Sequence, residues 1–274
     1  MKNILLATDL SRSAAHAVRY AAWLAEALDA RLTLMSAYQA APLFAGTSIP
    51  ESSADRLPEL VCRGLEEIAM KLGTVGGQSI SLLARPGDPV PAILSAAREI
   101  DADLIVGGRA GVGHEYPSTF GTTVVSLARK TTIPLLIVPQ AAGCIKPKAI
   151  AIAENFLHDN MPEAIHELLG QFHSRLYTFD VKAKKTGEVV EIYGTDATHC
   201  GKELFHLLYE IPVDSETHHS VENFIEVAPI HWLAACPLPG LSPERWVLGR
   251  RSKGLAIDIR IPLLVLPDAK KPGT

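Results

Sequence analysis

Residues 107–123 read GGRAGVGHEYPSTFGTT, with five glycines and a proline between two apolar runs, Leu104–Val106 and Val124–Ala128. Glycine loses more backbone freedom on folding than any other residue, so it accumulates where the chain must turn sharply or approach a ligand closely. The spacing Gly108-x2-Gly111-x9-Gly121-Thr122 leaves one apolar run and enters a segment with helical periodicity at Thr122. A helix start carries unpaired N–H groups and the positive end of a dipole, both suited to phosphate. Thr122 and Thr123 add hydroxyl donors, and Gly108 and Gly111 would let backbone amides close on an anion without a Cβ in the way. Arg109 and His114 supply positive charge, Arg being matched to phosphate oxygens, while the carboxylate of Glu115 opposes a bound anion by roughly 1 kcal/mol at close range in water. The same residues also fit a long connector that runs into an N-capped helix, and the stretch alone leaves both readings open.

The elements around this stretch determine which reading holds. Ile4–Ala7 is a short apolar run; Ala14, Ala17, Val18, Ala21, Leu24, Ala25 and Leu28 follow at helical spacing. Strands are predicted at Arg31–Tyr38, Ser79–Ala84, Leu104–Val106 and Leu135–Val138. Helices are predicted at Leu57–Leu72, Val90–Ile100 and Thr122–Lys130, with a Pro/Gly/Ser-rich stretch reaching to about Arg56. Short apolar strands alternating with helices indicate an α/β fold, a doubly wound parallel sheet covered on both faces. In such sheets ligands sit outside the carboxyl ends of the strands where the strand order reverses, which is where a loop leaving Leu104–Val106 would arrive.

Bulk properties narrow the function. The 274 residues are 47% hydrophobic and 20% charged, enough to bury a core in one large domain or two ordinary ones. A net charge of −4 argues against a nucleic-acid partner, because no basic stripe is present to neutralise phosphates. Asp9 interrupts the apolar start too early for a signal peptide, and no run approaches the ~18 apolar residues that span a bilayer. Four scattered cysteines (Cys62, Cys144, Cys200, Cys236) without a C-x-x-C pair suit reduced thiols in a cytoplasm.

The chain then repeats itself. RLTLMSAYQA (31–40) is echoed by RLYTFDVKA (175–183), and TIPLLIVPQ (132–140) by RIPLLVLPD (260–268). NILLATD (3–9) is echoed more weakly by AIAIAE (149–154), and DLIVGG (103–108) by RWVLGR (245–250). The order and spacing of the echoes point to a duplicated unit, residues 1–140 and 147–268, joined at Gln140–Pro147. In the second copy Gly254 stands much nearer Pro262 than Gly108 stands to Pro134, and Glu154 takes the place of Asp9, so this copy is expected to lack a complete phosphate cradle.

With G-x2-G-x9-G-(S/T) after the fourth strand, Ala7-Thr8-Asp9-Leu10-Ser11 closing the first, and the Ile133-Pro134…Val138-Pro139 ending, the first half resembles the universal stress protein family of the ATP-binding kind. The resemblance covers 1–140 closely and 148–268 in outline. It implies a tandem of two Rossmann-like, five-stranded sheets of order 3-2-1-4-5. It implies a nucleotide site in which Asp9, with Ala7 and Thr8, lies near the adenine or a bound metal. In that site Ala37 borders the base, Gly108, Arg109 and Gly111 approach ribose and phosphates, and Gly121, Thr122 and Thr123 hold the phosphates. ATP leads, with AMP or ADP beside it and magnesium as a possible companion. Asp9 could equally cap the following helix through Ser11–Ser13. Val112 departs from the basic or small polar residue usual after the second glycine. The family's pairing through final strands implies that PLLIVP (134–139) and PLLVLP (262–267) form an intramolecular pseudo-dimer, with a homodimer as a further assembly.

No H-E-x-x-H, G-x-S-x-G or Walker motif occurs, and the loop brings no evident general base. A cytoplasmic binding or regulatory module in stress response is therefore preferred to an enzyme. A slow ATP hydrolase, or a nucleotide-free protein acting through protein contacts or a metal, are the alternatives. Eight of the ten histidines lie in the second half, and His199-Cys200, His206, His218-His219, His231 and Cys236 are its metal-ligand candidates, without zinc-type spacing.

Overall fold

The computed structural model describes residues 1–39, 56–109, 120–153, 163–179, 189–192, 209–212, 230–237, 246 and 259–267. The chain divides into two compact units, Met1–Gln140 and Ala141–Thr274.

The first unit alternates strand and helix: β1 (Asn3–Ala7), α1 (Ala15–Ala27), β2 (Arg31–Tyr38), α2 (Leu57–Leu72), β3 (Ser81–Pro86), α3 (Pro89–Glu99), β4 (Leu104–Gly108), α4 (Thr122–Lys130) and β5 (Leu135–Val138). All pairings are parallel, in the order β3-β2-β1-β4-β5. The chain winds from β1 outward to β3, returns across the sheet to β4 and winds the other way, so the order reverses between β1 and β4. Ile4, Leu5 and Leu6 of β1 and Leu104, Ile105 and Val106 of β4 are fully buried on both faces. Each such side chain stabilises the fold by about 1.5–3 kcal/mol relative to exposure, which fixes these two strands as the centre of the core. On α1 the buried stripe is Ala17, Val18, Tyr20, Ala21, Leu24 and Ala25. Its alanines bring the helix close to the sheet.

Helix ends follow their local chemistry. At Asp29 and Asp101 φ is 52° and 49°, and the next N–H reaches back to Ala25 and Ala97. These are left-handed caps in which aspartate stands where glycine is commonest. The third strand runs two residues later than its apolar pattern predicts. The Val75–Gln78 turn, with Gly76 and Gly77 at positive φ, holds the chain until pairing begins at Thr33↔Ser81.

The second unit contains β6 (Ala149–Ala153), α5 (Glu163–Phe172), β7 (Arg175–Phe179), β8 (Val189–Ile192), β9 (Tyr209–Pro212), β10 (Trp232–Ala235) and β11 (Leu263–Val265). Its parallel strands lie in the order β7-β6-β10-β11, the 2-1-4-5 part of the first unit's order. β8 and β9 form a separate antiparallel ladder. One echo is corrected: the strand beside β6 is WLAA at 232–235, paired Trp232↔Ile150, and not RWVLGR at 245–250. Trp246 is fully buried but helical, so its apolar neighbourhood mimicked a strand. The true strand is only four residues long, with Pro229 and Pro237 nearby, which hides it in the sequence. Residues 236–262 then join β10 to β11 over nearly the length that 109–134 spans between β4 and β5. A shortened loop is no longer a ground for setting the second unit apart. Its glycines, at 240, 249 and 254, still lack the Gly-x2-Gly spacing. Glu154 lies outside the described residues.

Candidate functional site

Thr8 ends the β1–β2 ladder, its N–H donating to the Met35 carbonyl at 2.9 Å. The chain then turns sharply. Thr8 Oγ1 accepts from the Leu10 N–H at 3.1 Å, and the Asp9 carboxylate accepts from the Ser11 N–H at 3.0 Å. Leu10 adopts φ 60°, an uncommon conformation for a bulky residue. Its side chain lies against Gly64 of α2, where an added Cβ would come within 2.8 Å of Leu10 Cδ1. Gly64 thus explains itself: a glycine within a helix costs about 0.5–1 kcal/mol relative to alanine, and here it admits the leucine that anchors the turn. Ser11 Oγ accepts from the Ala14 N–H at 3.2 Å in the turn that leads into α1, and Asp9 does not cap that helix. Asp9 is exposed, and its carboxylate braces the turn from the cavity rim.

Beyond Met35, β2 continues past the end of β1. Successive residues of a parallel strand bond alternately to the two neighbours, so Tyr38 faces β3, and its carbonyl accepts from the Gly87 N–H at 2.9 Å. Ala37 turns to the side of β1, where no described residue of β1 lies opposite. Its N–H and C=O form a donor–acceptor pair at the crevice.

From the other side, Arg109 follows β4. Its N–H donates to the Val138 carbonyl at 3.0 Å, and its own carbonyl accepts from the Gly121 N–H at 2.8 Å. Gly121 is the N-cap of α4, and among the described residues no side chain caps that helix. The first intrahelical bond is Val125 N–H to Gly121 carbonyl, 3.1 Å. Thr122, Thr123 and Val124 therefore present N–H groups without intrahelical partners.

These features meet in one cavity of about 270 Å³ at the switch point between β1 and β4. Ala7, Thr8, Asp9, Ala37, Gly108, Arg109, Gly121, Thr122 and Thr123 all line it, so nine of the ten residues singled out from the sequence are brought together. The tenth, Gly111, lies outside the described residues, as do Val112, His114 and Glu115. Sequence reasoning missed the apolar floor, to which Met35, Ile93 of α3, Val124 and Leu127 contribute. These residues carry an ordinary core pattern, and only the packing of α3 and α4 on the sheet turns them toward the crevice. An apolar cavity that ends at the free N–H groups of a helix N-terminus fits a ligand with an aromatic body and an anionic tail.

The residues fit the phosphates of a nucleotide through this helix end. Among the described residues no three His, Cys, Asp or Glu side chains form a metal-binding group. His199, Cys200, His206, His218 and His219 lie outside the described residues. No helix among those described is long and apolar enough to cross a membrane.

The sheet order, the crevice at its reversal and the glycine-flanked helix entrance define a doubly wound, Rossmann-like α/β protein. The chain belongs to the universal stress protein family, whose model matches residues 1–139. A curated universal stress protein of Thermus aquaticus is 35% identical over 137 residues, covering 50% of this chain and 98% of the relative. One from Mycobacterium tuberculosis is 28% identical over 144 residues, covering 50% of this chain and 95% of the relative. A universal stress protein crystal structure from Archaeoglobus fulgidus covers 97% of this chain and 98% of its own, with a TM-score of 0.65 at 15% identity, a likeness of fold.

Proposed function

We propose that the first unit binds an adenine nucleotide, ATP first and AMP or ADP beside it, and that the chain works as a binding or regulatory module in stress response. The observation that carries this reading is the junction of two complementary ends in one cavity. At one end the Ala37 N–H and C=O offer a donor–acceptor pair to the edge of a base above an apolar floor. At the other, the uncapped amides of Thr122, Thr123 and Val124 offer charge-assisted hydrogen bonds to a phosphate. Gly108 and Arg109 border the cavity on the side of ribose and phosphates, and Asp9, with Ala7 and Thr8, lies near the adenine or an accompanying magnesium ion. The nucleotide brings the phosphate charge, and every other element of recognition comes from this chain. The second unit, without the Gly-x2-Gly spacing, serves as a pairing partner for the first in an intramolecular pseudo-dimer.

The test is the small-molecule content of freshly purified protein, released by acid and identified by mass, followed by calorimetric titration with ATP, ADP, AMP and adenosine. A copurifying adenylate, or affinity that rises with phosphate number, supports the reading. An empty protein that binds none of the four overturns it. Turnover of ATP well above background and lost in Asp9→Ala would replace the binding module with a hydrolase.

A further inference from the structure

Arg109 is a cation only 6% exposed, placed where the chain leaves β4 for the cavity. Its guanidinium carbon lies 4.8 Å from the centre of the Phe120 ring. A planar guanidinium stacks on an aromatic face through the ring quadrupole, and the pair is stronger when water is excluded. The backbone of the same residue makes two further bonds, from its N–H to Val138 at the end of β5 and from Gly121 N–H to its carbonyl. One residue thereby ties the end of β4 to the end of β5 and to the entrance of α4. The two attachments to the α4 entrance involve adjacent residues, Phe120 by its ring and Gly121 by its amide.

We infer that Arg109 is a positioning residue: stacked on Phe120 and bonded to Gly121, it sets the N-terminus of α4 so that the amides of Thr122, Thr123 and Val124 point into the cavity. This differs from the sequence expectation, in which Arg109 approaches the phosphates itself. A direct phosphate ligand needs only its own charge and reach. A positioning residue needs Phe120 as well, and losing either partner should have the same consequence. The inference deepens the nucleotide reading and rests on it for its ligand assay, so the test includes a measurement made without ligand.

The experiment compares full-length wild type with Arg109→Met, Phe120→Leu, the double variant and Phe120→Tyr. Without ligand, amide hydrogen exchange is followed at Gly121 and in the first turn of α4, with Leu104–Val106 of β4 as an internal reference. With ligand, affinities for adenosine, AMP and ATP are measured. Positioning predicts that Arg109→Met and Phe120→Leu each speed exchange at Gly121 about tenfold while the β4 amides are unchanged. Each should weaken ATP and AMP about tenfold and leave adenosine alone, the double variant should lose no more than either single one, and Phe120→Tyr should behave as wild type. If Phe120→Leu binds ATP as wild type does while Arg109→Met does not, Arg109 is a direct ligand and the inference is overturned. Unchanged exchange at Gly121 in both single variants overturns it equally. Accelerated exchange in a protein that binds no nucleotide would uphold the positioning role and sink the nucleotide reading instead.

Discussion

Thr8 and Met35 form the last rung between β1 and β2, N–H to carbonyl at 2.9 Å, and the crevice opens directly beyond it. Because β2 continues to Tyr38 while the ladder stops, Ala37 is left facing open space with its main-chain polar groups unused by β1. Ala37→Leu should therefore fill the base end of the cavity without touching its phosphate end. Adenosine and ATP should weaken alike, by about tenfold or ~1.4 kcal/mol. Calorimetric titration of both ligands is the check, and a loss confined to ATP would contradict the assignment of this end to the base.

Gly121→Val probes the opposite end. A β-branched side chain at the α4 entrance would screen the amides of Thr122 and Thr123 from an approaching anion, and its bulk would enter the cleft and not the core. Binding of AMP and ATP should be abolished while stability falls by only about 1 kcal/mol, the cost of an aliphatic residue at a helix N-cap. Undiminished ATP affinity would show that the glycine stretch is only a connector.

Gly64 and Leu10 couple α2 to the turn that carries Asp9. In Gly64→Ala the new methyl would meet Leu10 Cδ1 at 2.8 Å, so the end of the leucine side chain must shift, and displacement of the turn behind it is the expected outcome. The helix gains about 0.5–1 kcal/mol from losing its glycine, which offsets the strain. Denaturant titration should then show stability near that of wild type, while nucleotide affinity falls severalfold. Equal affinity in the variant would mean that Leu10 repacks without moving Asp9.

One nucleotide per chain is expected, held by the first unit. The motif Gly-x2-Gly-x9-Gly-Thr occurs once, at 108–122, and the glycines between β10 and β11, at 240, 249 and 254, do not repeat it. Titration that resolves two equivalent sites would require a second cradle built by different means.

A fragment of residues 1–142 should self-associate. Its sheet, taken alone, ends on β5, whose Leu135, Leu136, Ile137 and Val138 are all apolar, and an apolar edge strand is a template for pairing with another chain. Analytical ultracentrifugation at rising concentration is the measurement. A fragment that stays monomeric would remove the basis for the pseudo-dimer.

Much of the first unit was readable before any coordinates, because its strands are short apolar runs and its helices are long and periodic. Arg31–Tyr38, Leu57–Leu72, Thr122–Lys130 and Leu135–Val138 are bounded in the sequence by the residues that bound them in the fold. The glycine spacing and Asp9 could be picked out for the same local reason, since the backbone freedom and the charge belong to the residues themselves. In the second unit β10 was not readable. WLAA at 232–235 is too short for periodicity to register, and RWVLGR at 245–250 matches the pattern of DLIVGG, three apolar residues and then a glycine, in the wrong place. What makes WLAA a strand is its pairing with Ile150–Ile152 of β6 and with β11, contacts between residues far apart along the chain.

The site divides in the same way. Sequence alone determined which residues have the chemistry for a phosphate or a base, because donors, charges and missing side chains are properties of residue type. Only the tertiary structure decided which of them act from main chain and which from side chain. The Gly121 amide is taken by Arg109, the guanidinium of Arg109 lies on Phe120, and Ala37 offers its backbone because β1 stops at its side. Each outcome depends on where one strand ends relative to its neighbour, and that register is fixed by long-range packing of the core, which no local window of sequence contains.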